Sequence, residues 1–293
     1  MRPILIELGP ITLYSYGLMM ALGFMAAYTV LHKEHVRLKF NVNNAGTLLI
    51  VGLVCGIIGA KVLYVITDWE RFVRDPVGML FSPAGLVWYG GFLGGFAGMF
   101  YYVRKKRLPI LQYLDMIGLG GMIGYAVGRL GCHFAGDGDY GIPTDLPWGT
   151  IYANGTVKPT NAAADYFSRN PEAAAEWNYS ELATNIVDHD RFGAITEFDL
   201  NVAMHPTPVY EFIMGVIVFF FLWKLRTKLV IPGMLFGVYL LVMPVQRFII
   251  EFWRLNPIVA LGLTQAQLFS ILIFIAGLIM IYTLKKREKT GRA

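Results

Sequence analysis

Seven apolar runs dominate this chain, at residues 12–31, 44–66, 86–103, 111–132, 209–223, 232–252 and 267–284. Most come close to the roughly 20 residues that a helix needs to cross the hydrocarbon core of a bilayer. Backbone inside lipid must satisfy its own polar groups, and a helix does so within one segment. The 293 residues are 56% hydrophobic and only 15% charged, whereas about a quarter of a soluble domain is charged. The expected fold is an all-α polytopic membrane protein with seven transmembrane helices. Only Arg2 precedes the first run and no small-residue cleavage site follows it, so that run is read as a retained span and not a cleaved signal.

The basic residues set an orientation. Lys33, Arg37 and Lys39 follow the first run, Arg104 to Arg107 the third, Lys224, Arg226 and Lys228 the fifth, and Lys285, Lys286, Arg287, Lys289 and Arg292 the seventh. These are fifteen of the 25 Lys and Arg residues; the opposite side has seven and three lie within runs. The positive-inside rule makes the basic side cytoplasmic, with the N-terminus outside and the C-terminus inside. The net charge of +5 therefore reflects topology and implies no nucleic-acid partner.

The chain divides into spans 1–4 (residues 1–133), an outer loop or small extracytoplasmic head (134–208), and spans 5–7 with a basic tail (209–293). The loop holds eleven acidic and three basic residues. A structureless loop of that length is unusual, and the alanine-rich stretch 161–177 reads as helix interrupted at Pro171. Gly90, Gly94 and Gly98, like Gly120, Gly124 and Gly128, recur every fourth residue, which lets helices approach closely in lipid. Gly90 and Gly91 could also keep a wall thin for a substrate.

Three basic residues fall within runs: Lys61, Arg129 and Arg247. A cation there costs roughly 3 kcal/mol on insertion scales and marks a functional site by default. Lys61 is near a span end and can snorkel. Arg129 and Arg247 come to similar depth in the outer half, and guanidinium is the preferred fork for phosphate. Glu251 lies one turn after Arg247 on the same helix face, and Arg254 continues that face. A structural ion pair is the bland alternative for Arg247 and Glu251 taken alone; with Arg129 added, two arginines and one glutamate leave positive charge for an anion. Tyr16 and Tyr89 lie at the same level, although interfacial tyrosines are often only belt anchors. Cys132, His133, Asp137 and Asp139 follow Arg129 among glycines. Their spacing matches no zinc site, the carboxylates are too few for a calcium loop, and a helix-end hydrogen bond suits His133. No metal or organic cofactor is expected. An outer-leaflet cavity suited to a phospholipid head group results; a transporter with broken midplane helices is the weaker alternative.

The motifs resemble the bacterial prolipoprotein diacylglyceryl transferase family. Tyr14-Ser-Tyr16-Gly-Leu-Met, Gly59-Ala-Lys61-Val-Leu-Tyr64, Trp88-Tyr89-Gly-Gly-Phe-Leu-Gly, Gly128-Arg129-Leu-Gly131, His205-Pro-Thr-Pro-Val-Tyr210-Glu211 and Gln246-Arg247-Phe-Ile-Ile-Glu251-Phe-Trp-Arg254 occur in the family's order. The resemblance implies transfer of diacylglyceryl from phosphatidylglycerol to the lipobox cysteine of a preprolipoprotein, in the bacterial cytoplasmic (inner) membrane. It implies that Arg129 and Arg247 hold the phosphate, that Tyr16 and Glu251 shape the pocket, and that Tyr89 stands where members carry His or Tyr near the chemistry. After Gly131 the sequence departs from the family's Asn-Phe-x-Asn-x-Glu. Cys132 replaces the first Asn, Asp137 takes the Glu position as a catalytic candidate, and the closing glycine comes one residue late as Gly141. His133 and Gly141 join the substrate-binding candidates. A non-catalytic or re-purposed phospholipid-binding paralogue is the alternative within the same fold.

Overall fold

The computed structural model describes residues 2–9, 11–82, 85–157, 166–176 and 203–291. In chain order these form β1 (Ile4–Leu8), β2 (Ile11–Tyr14), α1 (Ser15–Arg37), α2 (Asn43–Thr67), α3 (Trp69–Arg74), α4 (Pro76–Phe81), α5 (Trp88–Lys105) and α6 (Ile110–Ala135). Then come α7 (Pro171–Glu176), α8 (Thr207–Leu225), α9 (Met234–Ile250), a 3₁₀ turn (Glu251–Trp253), β3 (Ile258–Ala260), β4 (Leu263–Thr264) and α10 (Gln265–Lys289).

Among the described residues, α1, α2, α5, α6, α8, α9 and α10 lie on the seven apolar runs. The protein is mostly helical, as an all-α membrane protein would be. Among the described residues, five helices are long and apolar enough to cross a membrane: α2, α6, α8, α9 with its 3₁₀ extension, and α10. Of the other two, α1 carries Lys33, Glu34 and Arg37 in its last turns, and α5 has 18 residues rich in glycine. The two hairpins are a departure from the all-α expectation. Ile4, Ile6 and Ile11 favour strand, and Gly9 turns the chain with φ +58°. At the β3–β4 turn both Leu261 (φ 55°) and Gly262 (φ 73°) are left-handed, the geometry whose twist matches paired strands.

Two compact units can be distinguished, residues 27–120 and residues 1–26 with 121–293. In the first, α2 and α5 pack through glycines. A side chain at Gly59 would put its Cβ 2.3 Å from the Gly90 carbonyl oxygen, and one at Gly94 would lie 2.4 Å from the Cys55 carbonyl oxygen. The four-residue glycine spacing of α5 is thus a helix-packing seam, and the free side of Gly90 is filled by Gly59 and Leu63 rather than by room for a ligand. Lys61 donates to the carbonyls of Met79 (3.1 Å) and Ser82 (2.7 Å), a cation placed at the C-terminal end of α4.

The same unit contains a neutral polar chain. His35 is fully buried and Tyr113 nearly so. His35 Nδ1 meets the Leu31 carbonyl at 2.7 Å, so this nitrogen donates and Nε2 accepts from the Tyr113 hydroxyl at 3.2 Å. Asn44 donates to that hydroxyl (3.3 Å) and accepts from Tyr102 (3.0 Å). The four residues are thus linked by consecutive hydrogen bonds.

In the other unit, Gly23 approaches Gly124, where an added Cβ would sit 3.0 Å from the carbonyl oxygen. Pro208 lies in the first turn of α8, where its missing N–H costs nothing. Pro244 lies inside α9, a position that membrane helices tolerate better than soluble ones. α10 begins with a capping box: Thr264 accepts from the Gln267 amide (3.3 Å), and the Gln267 side chain accepts from the Thr264 amide (3.0 Å). Of the stretch expected to be helical, residues 166–169 and α7 are helical, with Pro171 opening α7; residues 161–165 and 177 lie outside the described residues. So do residues 158–160 and 178–202 of the expected head.

Candidate active site

The helical segments around Arg129, Glu211 and Arg247 are apolar, so burial forces their charges to find one another. Glu211, in the second turn of α8, is the hub. Its carboxylate lies 2.9 Å from Arg129 Nε, 2.8 Å from Arg247 Nη1 and 3.8 Å from Arg254 Nη1. Arg247 also meets Glu251 Oε2 at 2.8 Å, and Arg254 Nε is 3.9 Å from the same oxygen. The other oxygen of Glu251 accepts from Asn256 (2.7 Å) and Thr264 (2.8 Å), which ties the α10 cap to the cluster. Asp139 completes the set, pairing one carboxylate oxygen with Arg129 and the other with Arg254. The Arg129 guanidinium also lies over the Tyr125 ring, 5.0 Å from its centroid.

Three arginines face three carboxylates. The sequence reading of two arginines and one glutamate, with positive charge left over, is therefore corrected: among the described residues the charges of these six paired side chains cancel. Arg247–Glu251 is an ion pair, as the one-turn spacing predicts, but within a larger network. Sequence reasoning assigned Glu211 no role and gave Asp139 none beyond its place among the glycines. Glu211 had a legible signal, since a carboxylate early in an apolar run is as costly as the arginines.

The loop after α6 is shaped by backbone. Gly136 (φ +59°) and Gly138 (φ +97°) are left-handed, conformations that glycine adopts without steric cost. Gly141 donates its amide to the His205 carbonyl at 2.8 Å. A Cβ there would lie 2.2 Å from the Trp253 carbonyl oxygen and 2.8 Å from Thr207 Cγ2. Gly141 therefore sits where only a glycine lets the loop close onto the start of α8 and the end of the 3₁₀ turn. Thr207 Oγ1 donates to the Asp139 carbonyl at 2.5 Å, and Arg254 Nη1 to the same oxygen at 3.3 Å.

Asp137, the carboxylate in the family's Glu position, does not meet the arginines. One of its oxygens is buried without a hydrogen-bond partner. Burial, and then the charge of Asp139, raise its carboxyl above the ordinary range. Burial opposes ionisation of Asp139 as well, but Arg254 and Arg129 outweigh it and hold that carboxyl at about 2. Cys132, Asp137 and Asp139 place ligand atoms within 4.8 Å of one another, yet two guanidiniums share Asp139, and their charge opposes a cation there.

His133 makes the expected helix-end hydrogen bond, Nδ1 to the Tyr152 hydroxyl at 3.1 Å. Tyr16 opens α1 beside Gly131, whose added Cβ would meet the tyrosine ring at 3.4 Å. Tyr89 lies in the first turn of α5, in the 27–120 unit, half-exposed and edge-on to Trp88. An open apolar groove of about 390 Å³ is lined by Trp148, Tyr210, Met214, Ile249, Ile250 and Trp253 among others, three of them next in sequence to Glu211, Glu251 and Arg254. The Tyr210 hydroxyl at its edge accepts from Trp148 (2.8 Å) and meets His205 Nδ1 (3.1 Å).

The family model for prolipoprotein diacylglyceryl transferase matches residues 3–283. The chain belongs to this family. Its relatives in the prolipoprotein diacylglyceryl transferase family include the phosphatidylglycerol–prolipoprotein diacylglyceryl transferase of Clostridium tetani, 29% identical over 279 residues, covering 95% of this chain and 96% of the relative. The transferase of the same name from Fusobacterium nucleatum is 27% identical over 293 residues, covering 99% of both. That of Dehalococcoides mccartyi is 29% identical over 292 residues, covering 99% of this chain and 96% of the relative.

Proposed function

We propose that the protein transfers the diacylglyceryl group of phosphatidylglycerol to the cysteine thiol of preprolipoproteins, as the names of its relatives state for them. The observation that carries this is the convergence of Arg129, Arg247 and Arg254 on Glu211 in a chain matched to the family over 3–283. Guanidiniums are suited to a phosphodiester because their donors form a rigid fork matching two oxygens.

In the reaction a sulfur–carbon bond forms as the glyceryl carbon–oxygen bond breaks. The oxygen leaves with the bonding electrons as part of glycerol phosphate, and the thiol proton passes to a base. The arginines stabilise the charge that develops on the leaving group. The thiolate is the nucleophile, so a base is required. Asp137, which burial makes a better proton acceptor than an ordinary carboxylate, fills that role in this reading. Tyr89 is the second candidate, and Tyr89→Phe retaining full transfer rate would remove it. Tyr16 and Glu251 shape the pocket, with His133 and Gly141 supporting its wall. No cofactor is required.

The topology that fits this chemistry has seven spans, the N-terminus outside and the C-terminus in the cytoplasm. Residues 134–208 then form an extracytoplasmic head, and the whole lies in the bacterial inner membrane. Its partners are phosphatidylglycerol, preprolipoproteins and the bilayer. The test is purified protein with phosphatidylglycerol and a lipobox peptide: glycerol phosphate is released and the peptide cysteine gains diacylglyceryl. Protein that binds the lipid and releases no glycerol phosphate would instead be a lipid-binding relative of the enzyme.

A further inference from the structure

The charge cluster is balanced as it stands, so a phosphodiester entering it would add an uncompensated negative charge in a largely buried place, which is costly. One carboxylate must yield. Glu211 and Glu251 have side chains with no exposure and sit on helical turns, while the Asp139 side chain is 28% exposed and lies on a loop. Asp139 also has the right form. Its two oxygens are shared between Arg129 and Arg254 as two phosphate oxygens would be, and it carries a single charge like a phosphodiester. Its backbone is pinned by Thr207 and Arg254 through the Asp139 carbonyl. The carboxylate can therefore rotate away while the loop and Arg254 stay in place.

We propose that Asp139 is a built-in competitor for the phosphate site: its carboxylate yields Arg129 and Arg254 to the donor's phosphodiester, and takes them back as glycerol phosphate leaves. This rests on the transferase reading above. The exchange on entry conserves charge. The product is a phosphomonoester with about −1.5 to −2 charge at neutral pH, so it would be held more tightly than the donor. A returning carboxylate offsets that grip and favours release.

The test uses the full-length protein in detergent, with glycerol phosphate titrated both directly, by calorimetry, and as an inhibitor of transfer from phosphatidylglycerol. Asp139→Asn removes the competing charge, and the dissociation constant for glycerol phosphate falls by roughly three- to tenfold, because the site no longer spends part of its population closed. Asp139→Glu keeps a carboxylate and retains affinity near that of the unaltered protein. If Asp139→Asn does not fold, Asp139→Ser against Asp139→Glu decides by the same criterion. A purely structural role for Asp139 predicts the opposite: the neutral variants loosen Arg129 and Arg254 and bind glycerol phosphate more weakly. Weaker or unchanged binding in the neutral variants, while the unaltered protein binds glycerol phosphate and consumes phosphatidylglycerol, overturns the competitor and leaves the transferase reading standing. Neither binding nor consumption by the unaltered protein overturns both.

Discussion

The protein buries two polar networks of opposite character. In the 27–120 unit, His35, Tyr113, Asn44 and Tyr102 form a chain of consecutive hydrogen bonds without a carboxylate or guanidinium. In the other unit, Arg129, Arg247 and Arg254 face Asp139, Glu211 and Glu251 in an ionic network. Among the described residues, the buried side-chain atoms without an aligned hydrogen bond belong to Asp137, Glu211, Gln246, Glu251 and Arg254, all in or beside the ionic network. Glu211 Oε2 is nonetheless within ion-pair distance of Arg129 Nε, as Glu251 Oε2 is of Arg247 Nη2. None of the four residues of the first network has a buried side-chain atom in that set. The second pairs its charges but leaves several buried polar atoms without an aligned hydrogen bond. A buried polar network fully satisfied rigidifies a fold, whereas one left incomplete costs stability and calls for a functional reason.

The contrast is broken most directly at Glu211. Glu211→Gln leaves the guanidiniums with an uncompensated buried charge and destabilises the protein by about 3–5 kcal/mol, read as loss of thermal stability in detergent. If its melting temperature is unchanged, the hub role is wrong. Arg129→Ala lowers glycerol phosphate release at least about a hundredfold, the scale of losing a donor to a developing anion. In the neutral network, Tyr113→Phe strands His35 Nε2 and the Asn44 amide and costs about 1–3 kcal/mol, while the transfer rate per folded molecule stays the same. A rate effect as large as that of Arg129→Ala would erase the distinction between the networks.

Smaller effects sharpen it. The Asp139 carboxyl is depressed from 3.8 to about 2, so its share of stability is complete above the unfolded value and is lost as pH falls through the folded one. Acid unfolding profiles of the protein and of Asp139→Asn therefore differ above about pH 4 and converge towards about pH 2. Asp137 has the opposite sign. Its folded value is raised, so the ionised form burdens the fold and stability rises as pH falls through that value. Asp137→Asn accordingly raises the melting temperature slightly at neutral pH while slowing transfer. A variant that transfers at full rate would remove Asp137 as the base.

The apolar runs determined the seven long helices because the signal is local: length and composition within each run dictate a helix wherever water is scarce. The glycine spacing likewise announced close packing. The spacing of Arg247 and Glu251 announced an ion pair, since four residues close one helical turn. Tertiary structure alone decided the rest. Asp139 meets Arg254 across 115 positions, and Glu211 meets Arg247 across 36, distances over which no periodicity speaks. In a loop turned by two left-handed glycines it is Asp139 that pairs with the arginines, while the match by position singles out Asp137 only as a catalytic candidate. The sequence by itself determined that charges would be buried in apolar helices. Only the folded chain decided that they would cancel, because charge balance is a property of what meets in space and not of what is adjacent along the chain.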